Sequence, residues 1–211
     1  MTVASRMSMS NMAIEAGAKC ALFTPDEKTA EYCEITLTDK EKDLVGDEDA
    51  VYCRTINYKA EDFVPVMACP SNVDNVKPVS ELKGTKIDQV FIGSCTNGRL
   101  EDLMEAAKIL KGKKVAPFVK LIVTPASRKI YTQALENGTM DILAKAGAII
   151  THPSCGLCCG RTGGILTDDE KVVATNNRNF LGRMGTSKVG IYLASPKTAA
   201  ACAVAGEIVE A

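Results

Sequence analysis

Apolar and polar positions are distributed unevenly along this chain, and the unevenness divides it. From about residue 83 onward, short apolar runs recur at 90–92, 120–123, 148–150, 171–174 and 189–193, each ended by glycine or a polar turn. Such runs predict buried strands. Between them lie segments with helical spacing. Leu100, Leu103, Met104, Ala107 and Leu110 fall on one face ahead of Gly112, and residues 127–136 run to Asn137-Gly138. A short helix over 140–145 follows, and Ser195-Pro196 opens an alanine-rich helix over 197–209. Strands alternating with helices predict an α/β layered fold with a largely parallel sheet.

The first part has weaker periodicity. Ser10 is placed to cap a helix through residue 16 that ends near Gly17, with no strand ahead of it to pack against, so the chain reads as the middle of a longer protein. AKCALF at 18–23 reads as a strand, and Thr24-Pro25-Asp26-Glu27 as the capped start of a helix to about Cys33. Residues 38–49 are charged and read as a solvated connection. The β-rich VYCRTINY and FVPVMACP predict two strands, and 71–88 reads as a linker. The expected division is into residues 1–82 and 83–211.

Composition narrows the function. With 25 basic and 26 acidic residues the net charge is -1 and the pI about 6.0, so no basic excess suggests a nucleic-acid surface. No run approaches the ~18 apolar residues of a membrane span, and the first residues lack the apolar core of a signal peptide. A cytoplasmic protein without membrane or nucleic-acid partners is expected. Nine cysteines then imply metal binding or burial rather than disulfides, with Cys20, Cys53 and Cys202 read as small buried hydrophobes. His152 is the single histidine, which argues against His-rich zinc hydrolases.

Three loops follow strands directly: 93–99 with Cys95, 152–160 with Cys155, Cys158 and Cys159, and 176–183 with Arg178 and Arg183. In parallel sheets ligands bind off the carboxyl ends of strands, so these loops can meet at one site. One cysteine plus a CxxC supplies three soft ligands. A zinc site completed by His152 is one reading, and a 4Fe-4S cluster with three thiolates and one open iron is the other. The loops also carry Arg161, Asn97, Asn176, Asn177 and Asn179, donors suited to a small polycarboxylate bearing a hydroxyl group.

GSCTNGRLEDL at 93–103, SCGLCCG at 154–160, NNRNFLGRMG at 176–185, YLASPKTAAA at 192–201 and SNMAIEAGAK at 10–19 together resemble the aconitase superfamily. The arginine after GSCTNG is similar to its isopropylmalate and homoaconitate branch. The resemblance implies three-layer α/β/α domains with largely parallel sheets, residues 1–82 being the second domain and 83–211 the third. It implies that Cys95, Cys155 and Cys158 ligate a 4Fe-4S cluster, that Asn177 hydrogen-bonds the cluster, and that Arg178 and Arg183 bind substrate carboxylates. Asn11 and Glu15 would line the active site from the neighbouring domain, and with Asn177 make up the catalytic set.

The implied activity is that of a hydro-lyase interconverting 2-isopropylmalate and 3-isopropylmalate in leucine biosynthesis, by dehydration and rehydration. Homoaconitate or citramalate are the near alternatives, and a zinc-bound structural domain is the alternative of another class. The implied partners are a hydroxy-polycarboxylate substrate, a separate small subunit and a preceding domain of the same large subunit. Leu157 and Cys159 depart from the family pattern. The chain is therefore expected to be a large-subunit fragment, inactive alone.

Overall fold

The computed structural model describes residues 1–211, the side chain of Lys42 excepted, and they divide into two compact units, Met1–Val64 and Pro65–Ala211.

The first unit is three short helices joined by irregular chain. α1 (Val3–Met12) begins earlier than expected, because the Thr2 hydroxyl accepts from the Ser5 amide and caps it. The helix then tightens into a 3-10 turn over Ala13–Ala16 and stops at Gly17 in the left-handed conformation. α2 (Glu27–Cys33) ends where predicted, but its cap is Asp26, not Thr24: the Asp26 carboxylate accepts from the Thr29 amide. Arg6 also pairs with Asp26 at 2.5 Å, which holds that carboxyl well below its usual range and ties α1 to α2. α3 (Asp39–Lys42) is a single turn.

Neither 18–23 nor 51–58 forms a strand, since no neighbouring strand in the unit offers a ladder to pair with. Cys20 and Cys53 are accordingly exposed, against the burial expected of them. Among the described residues of this unit, Ala4 is the only buried apolar one.

The second unit is the α/β fold that the alternating pattern predicts. Its strands are β1 (Val66–Ala68), β2 (Val76–Pro78), β3 (Gln89–Gly93), β4 (Lys120–Thr124), β5 (Ile149–Ile150), β6 (Lys171–Ala174) and β7 (Gly190–Leu193), in the order β2-β1-β7-β6-β3-β4-β5. From β7 to β5 every pairing is parallel, and only β1, antiparallel to both β2 and β7, runs against the rest. Residues 71–88 are therefore not a free linker. β2 pairs with β1, and the short helix α4 (Val79–Leu82) buries Val79 completely.

β3 is buried along its whole length, as a central parallel strand must be. On one face Val90, Ile92, Leu121, Val123 and Val173 pack under α6 (Leu100–Leu110), α7 (Arg128–Glu136), α8 (Thr139–Ala146) and α9 (Pro196–Ala205). Cys202 of α9 lies in this core, and burial pushes its thiol up to about 11. On the other face Phe91, Ile122, Val172, Ala174 and Ile191 meet Leu157, Leu166 and Met184, which come from loops and a 3-10 turn rather than α-helices. Those segments carry the cysteine and arginine loops. No helix among the described residues is long and apolar enough to cross a membrane.

Candidate metal centre

β3, β4, β5 and β6 are parallel neighbours, so their carboxyl ends lie along one edge of the sheet, and the site grows from that edge. Gly93 ends β3 with φ 138°, and a Cβ there would sit 2.0 Å from the Thr124 carbonyl oxygen. Only glycine can stand so close to the next strand and turn so sharply. The chain passes through Ser94 at φ 82° into the single helical turn α5 (Ser94–Asn97), which leaves Cys95 exposed. The Gly98 amide closes the turn on the Ser94 carbonyl (3.0 Å), and the Ala126 amide donates to the Gly98 carbonyl (2.9 Å). At the start of α6 the Arg99 amide donates to Asp102 Oδ2 (3.0 Å), and burial pushes the Asp102 carboxyl up to about 6.

The second loop leaves β5 through Thr151. Ser154 Oγ accepts from the Gly156 amide (3.0 Å), and a 3-10 turn over Gly156–Cys159 follows, with the Cys158 amide donating to the Cys155 carbonyl (3.2 Å). Leu157 is fully buried in the sheet core and is the plug that anchors this loop. Cys155 is exposed, whereas Cys158 and Cys159 are half-buried. This turn packs against α5, bringing the CxxC beside Cys95.

The third loop leaves β6 through Thr175, whose hydroxyl accepts from the Gly93 amide (2.9 Å). The Asn97 side-chain amide donates both to the Thr175 carbonyl and to Asn177 Oδ1, the latter at 2.6 Å. Asn177 is buried, and Arg178 is half-buried with its carbonyl accepting from Asn176 (2.7 Å). Arg183 is half-buried and donates from Nε to the Cys158 carbonyl (2.7 Å), with a terminal guanidinium nitrogen 3.8 Å from Cys158 Sγ. Asn179 instead donates to the Cys69 carbonyl (2.7 Å), bracing the edge hairpin.

These loops bring the thiols within electrostatic reach of one another. The Cys155 thiol is pushed up, first by burial and then by Cys95, Cys159 and Cys158. A Cys155 thiol opposed in this way loses its proton most readily to a cation shared with the neighbouring sulfurs, so the donor set fits a metal group bound through thiolates. A single tetrahedral ion about 2.3 Å from each sulfur would draw the sulfurs to within about 4 Å of one another. Among the described residues no three histidine, cysteine, aspartate or glutamate side chains are gathered to hold a metal ion.

Of the residues named from sequence, Cys95, Cys155, Cys158, Asn177, Arg178 and Arg183 thus lie on three adjoining loops. His152 is exposed on the same loop as the CxxC, and Arg161 is exposed just beyond it. Asn11 and Glu15 belong to the first unit, Asn11 exposed in the last turn of α1 and Glu15 half-buried in the 3-10 turn after it. Sequence reading passed over Thr124, Thr151 and Thr175. Their signal was a hydroxyl residue ending an otherwise apolar strand, a place where a buried polar group has to find a partner.

Residues 1–86 and 77–206 match the aconitase family (aconitate hydratase). A probable methanogen homoaconitase large subunit of Methanosarcina mazei is 52% identical over 210 residues, covering 100% of this chain and 53% of the relative. The 3-isopropylmalate dehydratase large subunits of Sulfurihydrogenibium sp. and Thermodesulfovibrio yellowstonii are 53% and 50% identical, covering 97% and 99% of this chain and 47% and 49% of their own lengths. The chain thus spans about half the length of these relatives. With matches running through both units and all three loops, it belongs to the aconitase family.

Proposed function

We propose that this chain is part of the large subunit of a 4Fe-4S-dependent hydro-lyase that interconverts 2-isopropylmalate and 3-isopropylmalate in the cytoplasm. The observation that carries this reading is the seating of Cys95 beside the Cys155–Cys158 turn, in a chain about half identical to proteins named 3-isopropylmalate dehydratase large subunit. Cys95, Cys155 and Cys158 would hold the cluster, leaving the fourth iron open. When bound, the cluster supplies a Lewis acid at that iron, which polarises a departing hydroxyl.

The chain's own residues do the rest of the binding. Arg183 uses Nε on the Cys158 carbonyl and one terminal nitrogen toward the Cys158 sulfur, and its other terminal nitrogen would meet a carboxylate beside the thiols. Arg178, at the start of the same loop, receives the second carboxylate. Asn177 is oriented by the Asn97 amide and would hydrogen-bond the cluster. Asn11 and Glu15 keep the place in the catalytic set that the family resemblance implies for them. The base that removes the C–H proton is assigned to a separate small subunit, and the remaining length of the large subunit is a second partner. The domain division of this reading is 1–82 and 83–211, and the two segments that match the family meet at 77–86.

Homoaconitate is the second reading, because a relative named homoaconitase large subunit is 52% identical, level with the dehydratases. The test is anaerobic reconstitution with iron and sulfide, followed by absorbance and iron-to-protein ratio. The native chain is expected to turn brown and hold close to a full cluster, and Cys158→Ser is expected not to. A Cys158→Ser chain that keeps the full cluster would refute the ligand assignment. Joined to the missing half and a small subunit, the loaded chain should turn over isopropylmalate; turnover of homoaconitate alone would move the assignment to the second reading.

A further inference from the structure

Both cysteine loops rest on one residue that carries none of the chemistry. Thr124 ends β4, the strand between β3 and β5, and is fully buried. Its backbone forms the wall behind the Cys95 turn: a Cβ on Gly93 would meet its carbonyl oxygen at 2.0 Å, and one on Gly98 would meet the same oxygen at 2.5 Å. Its hydroxyl forms the wall behind the second loop. A Cβ on Gly156, next to Cys155, would lie 2.6 Å from Thr124 Oγ1. That hydroxyl is also 2.7 Å from Thr151 Oγ1, at the root of the same loop. Thr151 Oγ1 in turn lies 3.4 Å from the carbonyls of Val123 and His152.

We infer that Thr124 is the positioning residue that sets the separation of Cys95 from the Cys155–Cys158 turn, its backbone seating one loop and its hydroxyl, through Thr151, seating the other. The inference rests on the metal-centre reading for its consequence but not for its geometry. At three glycines on the two loops the atom nearest the missing side chain belongs to Thr124, so a shift of Thr124 presses on both loops. A hydroxyl is needed there because a methyl of the same shape keeps the packing and loses the tie to Thr151. Groups that orient metal ligands from behind typically change metal affinity about 10- to 100-fold when removed.

The test compares Thr124→Val, Thr124→Ser and Thr151→Val with the native chain. Each is first checked for an unchanged thermal midpoint, then for iron bound per chain after anaerobic reconstitution. In the metal-free chain, capture of the Cys95 and Cys155 peptides by a bifunctional thiol cross-linker is measured by mass spectrometry. Thr124→Val and Thr151→Val are expected to lose about tenfold in cluster retention and to lower the Cys95–Cys155 cross-link, while Thr124→Ser restores both. Native-like loading and cross-linking in Thr124→Val, or failure of Thr124→Ser to restore them, would overturn the inference. If the native chain itself binds no cluster, the functional reading fails, and the cross-link yields alone decide whether Thr124 seats the loops.

Discussion

Arg183 Nε donates to the carbonyl oxygen of Cys158 at 2.7 Å while its terminal guanidinium nitrogen stands 3.8 Å from the same residue's sulfur. One cation therefore fixes the loop and faces the thiol. Lysine cannot do both, because a single ammonium lacks the planar fork. Arg183→Lys should fold normally but lose a reconstituted cluster about tenfold faster in air, followed as the decay of its visible absorbance. Decay at the native rate would show that the contact is incidental.

Gly93 and Gly112 both have positive φ, at 138° and 74°, but only Gly93 has backbone against its missing Cβ. Alanine at 112 meets open space and should cost about 1–2 kcal/mol of conformational strain. Alanine at 93 must displace Thr124 and should cost at least about 3 kcal/mol, read from urea midpoints. Equal costs would show that the end of β3 is freer than its packing implies.

Asn97 spans the gap between the first and third loops by donating to Asn177 Oδ1 and to the Thr175 carbonyl. Asn97→Ala removes the donor that these two acceptors share and should cost about 1–3 kcal/mol. Paired with Asn177→Ala in a double-mutant cycle, it should show a coupling of about 0.5–3 kcal/mol. Strict additivity would separate the two loops energetically.

Asp102 titrates in an accessible range, its carboxyl raised by burial from the ordinary 3.8 to about 6. The folded chain thus binds a proton more tightly than the unfolded chain, so this group's contribution to stability falls as pH rises from about 4 to about 6 and is constant above. The loss is at most about 3 kcal/mol. Asp102→Asn keeps an oxygen for the Arg99 amide and should flatten that part of the stability profile, measured as urea midpoints between about pH 4 and 7. A profile unchanged by the substitution would place the slope elsewhere.

Much of the α/β unit was legible without a structure. The strands at 171–174 and 120–124, the α6 face from Leu100 to Leu110 and the Ser195 cap of α9 follow from local period and capping chemistry, which need only a few consecutive residues. The cysteine loops were legible too, because glycine and cysteine at strand ends are a local pattern. What misled was apolar sequence without a partner. VYCRTINY has the composition of a strand but no ladder to join, whereas 76–82 has the composition of a linker yet pairs with β1 and buries Val79.

Leu157 shows the same limit at the site. In sequence it is one apolar residue between two cysteines, and in the fold it is the buried anchor of the CxxC turn. Thr124, Thr151 and Thr175 gave no motif at all. Their roles depend on contacts between residues 27 and 82 positions apart on neighbouring strands, and the order of strands in a sheet is a long-range choice that no local pattern encodes. Sequence alone thus determined which groups could do the chemistry, and tertiary structure decided which hydroxyls, glycines and arginine hold those groups together.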